Sequence, residues 1–261
     1  TVDVTVHGDT TYETNETLTL DLSNANGATI ADDSGTGTIT NDDAAPTFTI
    51  GDVNVAEGAT GITSLTFTVT KSGATQLDSS VLYATGGGTA TAGVDYTGNT
   101  GTLSFGPGAT SEPVTVLVNG DKVFEPNETF NVVLSAPTEG TIAVATGVGT
   151  ILNDDKQPTM LTIHRRLAPT AVIGKGLLEP ATVGARVRVA LFHRVRGHWV
   201  KIAANTVVVT GLRDRDHDGL LDARYVARFK RPSAHGHYKL RARFAGSATL
   251  RRSHRGMNFT I

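Results

Sequence analysis

The chain has 261 residues with 23 Lys plus Arg against 25 Asp plus Glu and no cysteine, which excludes disulfides, thiolate metal sites and a cysteine nucleophile. The near-neutral sum hides a division. Residues 1–155 carry only Lys71 and Lys122 against 20 acidic residues, a balance of −18, whereas residues 156–261 carry 21 Lys plus Arg against five acids, a balance of +16. Such a step marks a domain boundary, and Lys156-Gln157-Pro158 is its natural place. No run of eighteen apolar residues exists and no signal peptide is recognised, so nothing is expected to span a membrane as a helix.

The first feature in chain order is a repeat. Gly8-Asp9-Thr10-Thr11-Tyr12-Glu13-Thr14-Asn15-Glu16-Thr17-Leu18 returns as Gly120-Asp121-Lys122-Val123-Phe124-Glu125-Pro126-Asn127-Glu128-Thr129-Phe130, and Asn41-Asp42-Asp43 returns as Asn153-Asp154-Asp155, all at an offset of 112 without a gap. A repeat fixes the structural unit before any other argument. Residues 1–43 therefore read as the second half of one unit, with strands at 1–7, 17–22 and 36–40, marginal alone because the strands that would cover their apolar face are missing. Residue 1 falls inside that unit, so the chain is expected to be a fragment. Residues 46–155 form the complete unit, with strands at 47–55, 62–70, 80–84, 101–105, 114–118, 130–134 and 147–152 separated by Gly, Pro and Asn turns. Seven short strands in about a hundred residues suggest an immunoglobulin-like sandwich.

In an up-and-down alternation of strands A to G, the A–B, C–D and E–F loops and the end of G lie at one pole. Glu57 is in the first loop, Asp95 in the second, Asp121, Glu125 and Glu128 in the third, and Asp154 and Asp155 follow strand G. Close like charges repel by several kcal/mol when partly shielded. A divalent cation removes that cost, and all-oxygen ligation favours calcium. A solvated acidic surface is the plainer reading for any one of these groups; for seven converging on one pole, calcium is the preferred one.

Gly93-Val94-Asp95-Tyr96, Gly101-Thr102-Leu103-Ser104-Phe105-Gly106-Pro107-Gly108, Asp121 followed by Glu125-Pro126-Asn127-Glu128-Thr129-Phe130, and Ile151-Leu152-Asn153-Asp154-Asp155 together resemble the Calx-beta family. The resemblance implies an immunoglobulin-type sandwich with Ca2+ at one pole. It places Glu57, Asp95, Asp121, Glu125, Glu128, Asp154 and Asp155 at ligand positions, with Gly120 and Asn153 standing where the calcium-binding exchanger member has carboxylates; Asn153 is retained as a candidate ligand. The half unit keeps Asp9, Glu13, Glu16, Asp42 and Asp43 but lacks the other two loops, so it is a poorer candidate. Asn15-Glu16-Thr17 and Asn127-Glu128-Thr129 also fit a glycosylation acceptor, which their place inside the repeated motif explains as coincidence.

Residues 158–261 read as a third, basic β domain, looser in its resemblance to bacterial immunoglobulin-like modules. Strands are expected at 186–192, 206–210, 223–229 and 238–244, with Trp199 in a core shared by Val189, Leu191, Val226 and Phe229. Asp214, Asp216, Asp218 and Asp222 follow a calcium-loop spacing, but Tyr225 stands where the bidentate Glu belongs, and a polar hairpin loop is the equal alternative. Arg186/Arg188, Arg194/Arg196, Arg224/Arg228 and Arg241/Arg243 alternate with period 2 and so are expected to share faces. A solvated face is the bland account; an anion-binding face is the sharper one, without the aromatic interleaving that would specify nucleic acid.

No phosphate loop, dinucleotide fingerprint, nucleophile elbow or zincin motif is present; His235-Gly236-His237 has a spacing that could ligate a transition metal, but no third ligand is placed by spacing and it reads as a turn. The whole reads as an all-β, non-enzymatic chain of tandem immunoglobulin-like sandwiches. The expected function is a calcium-binding structural or adhesive module of a bacterial cell-surface or secreted protein, membrane-associated and extracellular. Its expected partners are calcium, an anionic cell-surface polymer and neighbouring repeats. The alternative is a carbohydrate- or cell-wall-polymer-binding accessory region of a secreted enzyme.

Overall fold

The computed structural model describes residues 1–213 and 220–261 and contains, among them, strands and no helix. By its contacts the chain forms two compact units. One holds Thr1–Asp121 and Pro126–Asp154; the other holds Lys122–Glu125 and Asp155–Ile261.

The half repeat contributes β1 (Glu16–Asp21) and β2 (Ser34–Ile39), an antiparallel pair. The strand expected at 1–7 does not form, and Val2, Val4 and Val6 are exposed. The complete repeat folds as β3 (Thr47–Ile50), β4 (Val53–Ala56), β5 (Gly61–Ser72), β6 (Ser79–Gly86), β7 (Thr100–Phe105), β8 (Ser111–Gly120), β9 (Glu128–Thr138), β10 (Thr141–Ile142) and β11 (Thr146–Leu152). One sheet has the order β10-β3-β5-β8 and the other β4-β11-β9-β6-β7. The first expected strand thus splits. β3 pairs antiparallel with β5, then the chain crosses at Gly51-Asp52 and β4 runs parallel to β11 in the other sheet, where Asp52 Oδ1 accepts from Val148 N at 2.7 Å. Alternate residues face inward and form a core of Phe48, Leu65, Phe67, Val81, Tyr96, Phe105, Val116, Phe130, Val132 and Ile151. Lys71, one of the two cations of this region, is buried and donates to the carbonyls of Gly106 and Pro107 at 2.7 and 3.3 Å. Burial lowers its pKa, partly offset by Asp78.

The second unit is another two-sheet sandwich. Its strands are β12 (Met160–Leu161), β13 (His164–Leu167), β14 (Ala171–Glu179), β15 (Arg186–Val195), β16 (His198–Val208), β17 (Ala223–Lys230), β18 (His237–Phe244) and β19 (Ser253–Thr260). One sheet has β14 between β12, β13 and β17; the other has the order β16-β15-β18-β19. Pattern reading misses β14 and β19, since Gly174, Gly176 and Gly256 interrupt their alternation. The core is built on Val172, Leu178, Val187, Val189, Leu191, Tyr225, Phe229, Tyr238, Leu240 and Phe244. Two expected members are absent from it. Trp199 is half-buried at the edge strand β16, and Val226 is exposed, because the inward positions of β17 are Tyr225, Ala227 and Phe229. The linker is pinned within this unit: Gln157 N donates to Thr249 O and Arg251 N to Gln157 O, both at 2.9 Å.

Candidate metal centre

Three acids come together beside the start of β9. Asp95, Glu125 and Glu128 are half-buried, and one carboxylate oxygen from each lies within 4.8 Å of the others. The loop between β7 and its predecessor is what brings Asp95 there. Tyr96, next to it, is buried and stacks on Phe130 with centroids 4.4 Å apart. Its neighbours are tied to β8: Asn119 N donates to Asp95 O at 2.8 Å and Asn119 Nδ2 to Val94 O at 2.7 Å. Asp95 Oδ2 in turn accepts from Thr91 N at 2.6 Å, which closes the loop on itself. Upstream, Thr89 N and Ala90 N both donate to Thr129 O at 2.8 Å. Gly88 makes this crossing possible: a Cβ on it would stand 2.1 Å from Thr129 O. Glu128 opens β9 two residues before the buried Phe130, so the same aromatic pair positions both carboxylates.

Such a donor set fits a hard cation. Oxygens that share one calcium at 2.3–2.6 Å lie no more than about 5 Å apart, so the observed spacing is compatible with it. Nothing in the donor set is soft enough to prefer a thiophilic metal.

A family model for the Calx-beta domain matches residues 1–44 and 40–157. The chain belongs to the Calx-beta domain family. It is 42% identical over 78 residues to the sodium/calcium exchanger Calx of Drosophila melanogaster, covering 29% of this chain and 8% of that protein. It is 35% identical over 104 residues to extracellular matrix protein 3 of Lytechinus variegatus, covering 38% of this chain and 3% of that one. The chain therefore spans a small part of the length of either relative. Among solved structures, the apo form of the Calx CBD1 domain is 34% identical over 42% of this chain and 99% of its own, with a TM-score of 0.40. A Calx structure named as calcium binding domain CBD12 is 21% identical over 76% of this chain and 80% of its own, with a TM-score of 0.41.

The other expected ligands of the complete Calx-beta repeat lie outside the group of three. Glu57 is only 3% exposed; its N–H donates to Leu152 O at 3.1 Å, beyond the parallel pairing of β4 with β11. Asp121 and Asp154 are exposed, and Asp155 and Asn153 are half-buried. Asn153 N donates to Asn127 Oδ1 at 3.0 Å, and the half repeat has the same bond, Asn41 N to Asn15 Oδ1 at 2.8 Å. This asparagine pair is a structural clasp between the loop before β9 and the end of β11, a role that motif reading did not see. Gly120 also has a structural cause. A Cβ there would lie 2.2 Å from Gly58 O and 2.7 Å from Glu57 O, so no carboxylate fits at that position in this chain.

In the half repeat, Asp9, Glu13, Asp42 and Asp43 form no comparable cluster among the described residues. Their loop is instead used against the next sandwich. Asp9 Oδ1 caps Thr11 N at 2.7 Å, while Tyr12 N donates to Ala74 O and Gln76 N to Tyr12 O, both at 3.1 Å. Thr75 Oγ1 also donates to Tyr12 O at 2.9 Å, and Gln76 Nε2 reaches Glu13 Oε2 at 2.5 Å. Tyr12 Oη donates to Glu139, whose charge raises the phenol pKa. In the second unit, Asp214, Asp216 and Asp218 lie outside the described residues; Asp222 is buried and pairs through its backbone with Arg213.

Proposed function

We propose that this region is an extracellular, calcium-binding structural and adhesive segment of a repeat-bearing bacterial surface protein, in which calcium at Asp95, Glu125 and Glu128 stiffens the junction between sandwiches. Other acids of the pole, Glu57, Asp121, Asp154 and Asp155, complete the shell as the ion draws the loops in. The observation that carries the reading is the convergence of three carboxylates from two loops within 4.8 Å. Affinity is expected on the order of 10⁻⁴–10⁻³ M, as for extracellular modules. The mechanical part is supported by the half repeat, where the loop equivalent to 121–128 is hydrogen-bonded to the turn Ala74–Gln76 of the following sandwich. An ion that orders this loop orders the element that touches the neighbour. The trailing basic sandwich reads as an immunoglobulin-like module that engages an anionic surface polymer. No catalytic role is assigned to any part.

The test is small-angle scattering of the full chain with and without calcium, beside calorimetry. Calcium should narrow the distance distribution, and Asp95→Ala with Glu128→Ala should remove the difference. Superimposable curves in the presence of measurable calcium binding would make the ion a local staple and end the mechanical reading. The alternative, a polymer-binding accessory region of a secreted enzyme, is favoured by the strongly basic second sandwich; a catalytic domain adjoining it in the full-length protein would support that alternative, further repeats the first.

A further inference from the structure

The second sandwich has two outer faces, and both are cationic, but they are built differently. On the sheet of β13, β14 and β17, Arg166, Lys175, Arg224 and Arg228 each lie opposite an aliphatic residue and no two arginines or lysines lie directly opposite each other, though Lys175 also lies opposite His164. Ile173 lies opposite Arg228 and Arg166, Val226 opposite Lys175, and Leu177 opposite Arg224. Aliphatic neighbours keep the charges apart and are covered by their stems, as expected of a solvated surface.

The sheet β16-β15-β18-β19 does the opposite. None of its four strands contains an acidic residue. Arg188 lies directly across from Arg243, and Arg243 directly across from His254, all exposed. Directly opposed side chains on one face stand about 4.5–5.5 Å apart, and like charges there are destabilising. Next to this row, the neighbouring row is nearly bare: Ala204, Ala190, Arg241 and Gly256 lie opposite one another in turn. Beyond it come Phe192, Lys239 and Asn258. A trough results, with small residues as its floor, Arg241 rising from it, and Arg188, Arg243 and His254 along one wall. Its centre is a cavity of about 400 Å³ lined by Lys239, Arg241, His254, Gly256 and Asn258. Three interstrand steps give it a length of roughly 14 Å. Trp199, half-buried with the Lys239 ammonium 5.4 Å from its ring, borders the same sheet.

We infer that this trough is a binding site for a linear acidic polysaccharide, one whose carboxylates or sulfates pair with Arg188, Arg241 and Arg243 while Asn258 and His254 meet its hydroxyls. This rests on the reading of the basic sandwich as anion-binding and names the face responsible. Opposed arginines without an acid on their sheet are a cost to the fold that an anionic ligand removes. An open floor suits an extended chain rather than a compact ion. A single-stranded nucleic acid fits less well, since it needs a series of aromatic platforms along the groove.

The chain has one tryptophan, so its fluorescence reports on this sheet. The full chain, calcium-free, is titrated with polygalacturonate, with heparin and with a single-stranded oligonucleotide, read by Trp199 emission and by calorimetry. One or both polysaccharides should bind and shift the emission. Arg188→Ala with Arg243→Ala should weaken binding at least tenfold while leaving the melting temperature unchanged or raised. Arg166→Ala with Arg228→Ala, an equal loss of charge on the other face, should change it less than threefold. Gly256→Leu keeps every charge but fills the trough, and should weaken binding about fivefold; the space beside Gly256 admits a Cβ, with Lys239 Cε 3.4 Å away. Equal losses in the two double variants, or full binding by Gly256→Leu, would overturn the trough while leaving a general anion affinity standing. Tighter binding of the oligonucleotide would overturn the polysaccharide assignment, and no binding of any polyanion would overturn both readings.

Discussion

The two copies of the acidic motif, 112 residues apart, share their residues and not their site. Both carry an aspartate, a glutamate four positions on, and a second glutamate three further; both close the loop with the same asparagine clasp. Only the complete repeat gathers its acids, because only it has the loop that delivers Asp95, held by Tyr96 on Phe130. In the half repeat Glu13 turns to Gln76 of the next sandwich instead. The motif alone is therefore a loop with a clasp, and the acid cluster is a property of the whole sandwich.

The comparison can be broken from the side of the complete repeat. Tyr96→Ala should cost about 3–5 kcal/mol, as removal of a buried aromatic does, and should also free the loop that carries Asp95. Chemical denaturation should show the loss of stability. Calorimetry should show calcium binding falling with it, leaving the complete repeat in the condition of the half one. Loss of stability with calcium binding unchanged would mean that Asp95 is held by the rest of its loop.

A smaller effect is expected where the family pattern is restored. Gly120→Asp brings back a carboxylate that this chain lacks, yet its Cβ would meet Gly58 O at 2.2 Å. The substitution should destabilise by about 1–3 kcal/mol through overpacking and bring no additional ion. A gain in calcium stoichiometry without loss of stability would show that the turn at Glu57-Gly58 yields easily.

Much of this was legible in the residues. Alternation of period 2, turn residues and the gapless repeat lead to an all-β sandwich, and the repeat leads to the acids of the pole. What pattern reading could not supply is long-range. The splitting of the first strand at Gly51-Asp52 depends on β11, almost a hundred residues away. Val226 lies on the outward face of β17 with Arg224, Arg228 and Lys230; its own hydrophobicity suggests the core, while the alternation of Ala223, Tyr225, Ala227 and Phe229 points the other way. The opposed arginines of the second sandwich required the register of β15 with β18, which no single strand reveals.

The most direct measurement is the calcium stoichiometry of the full chain after chelator treatment, with three variants side by side. Calorimetry should detect binding in the wild type, lose it with Asp95→Ala and with Glu128→Ala, and keep it unchanged with Asp9→Ala combined with Glu13→Ala. Saturation at 100 times the dissociation constant should stabilise the first sandwich by about 2.7 kcal/mol. An isotherm unaffected by Asp95→Ala, or one lost with Asp9→Ala and Glu13→Ala, would contradict a calcium centre built by the complete repeat.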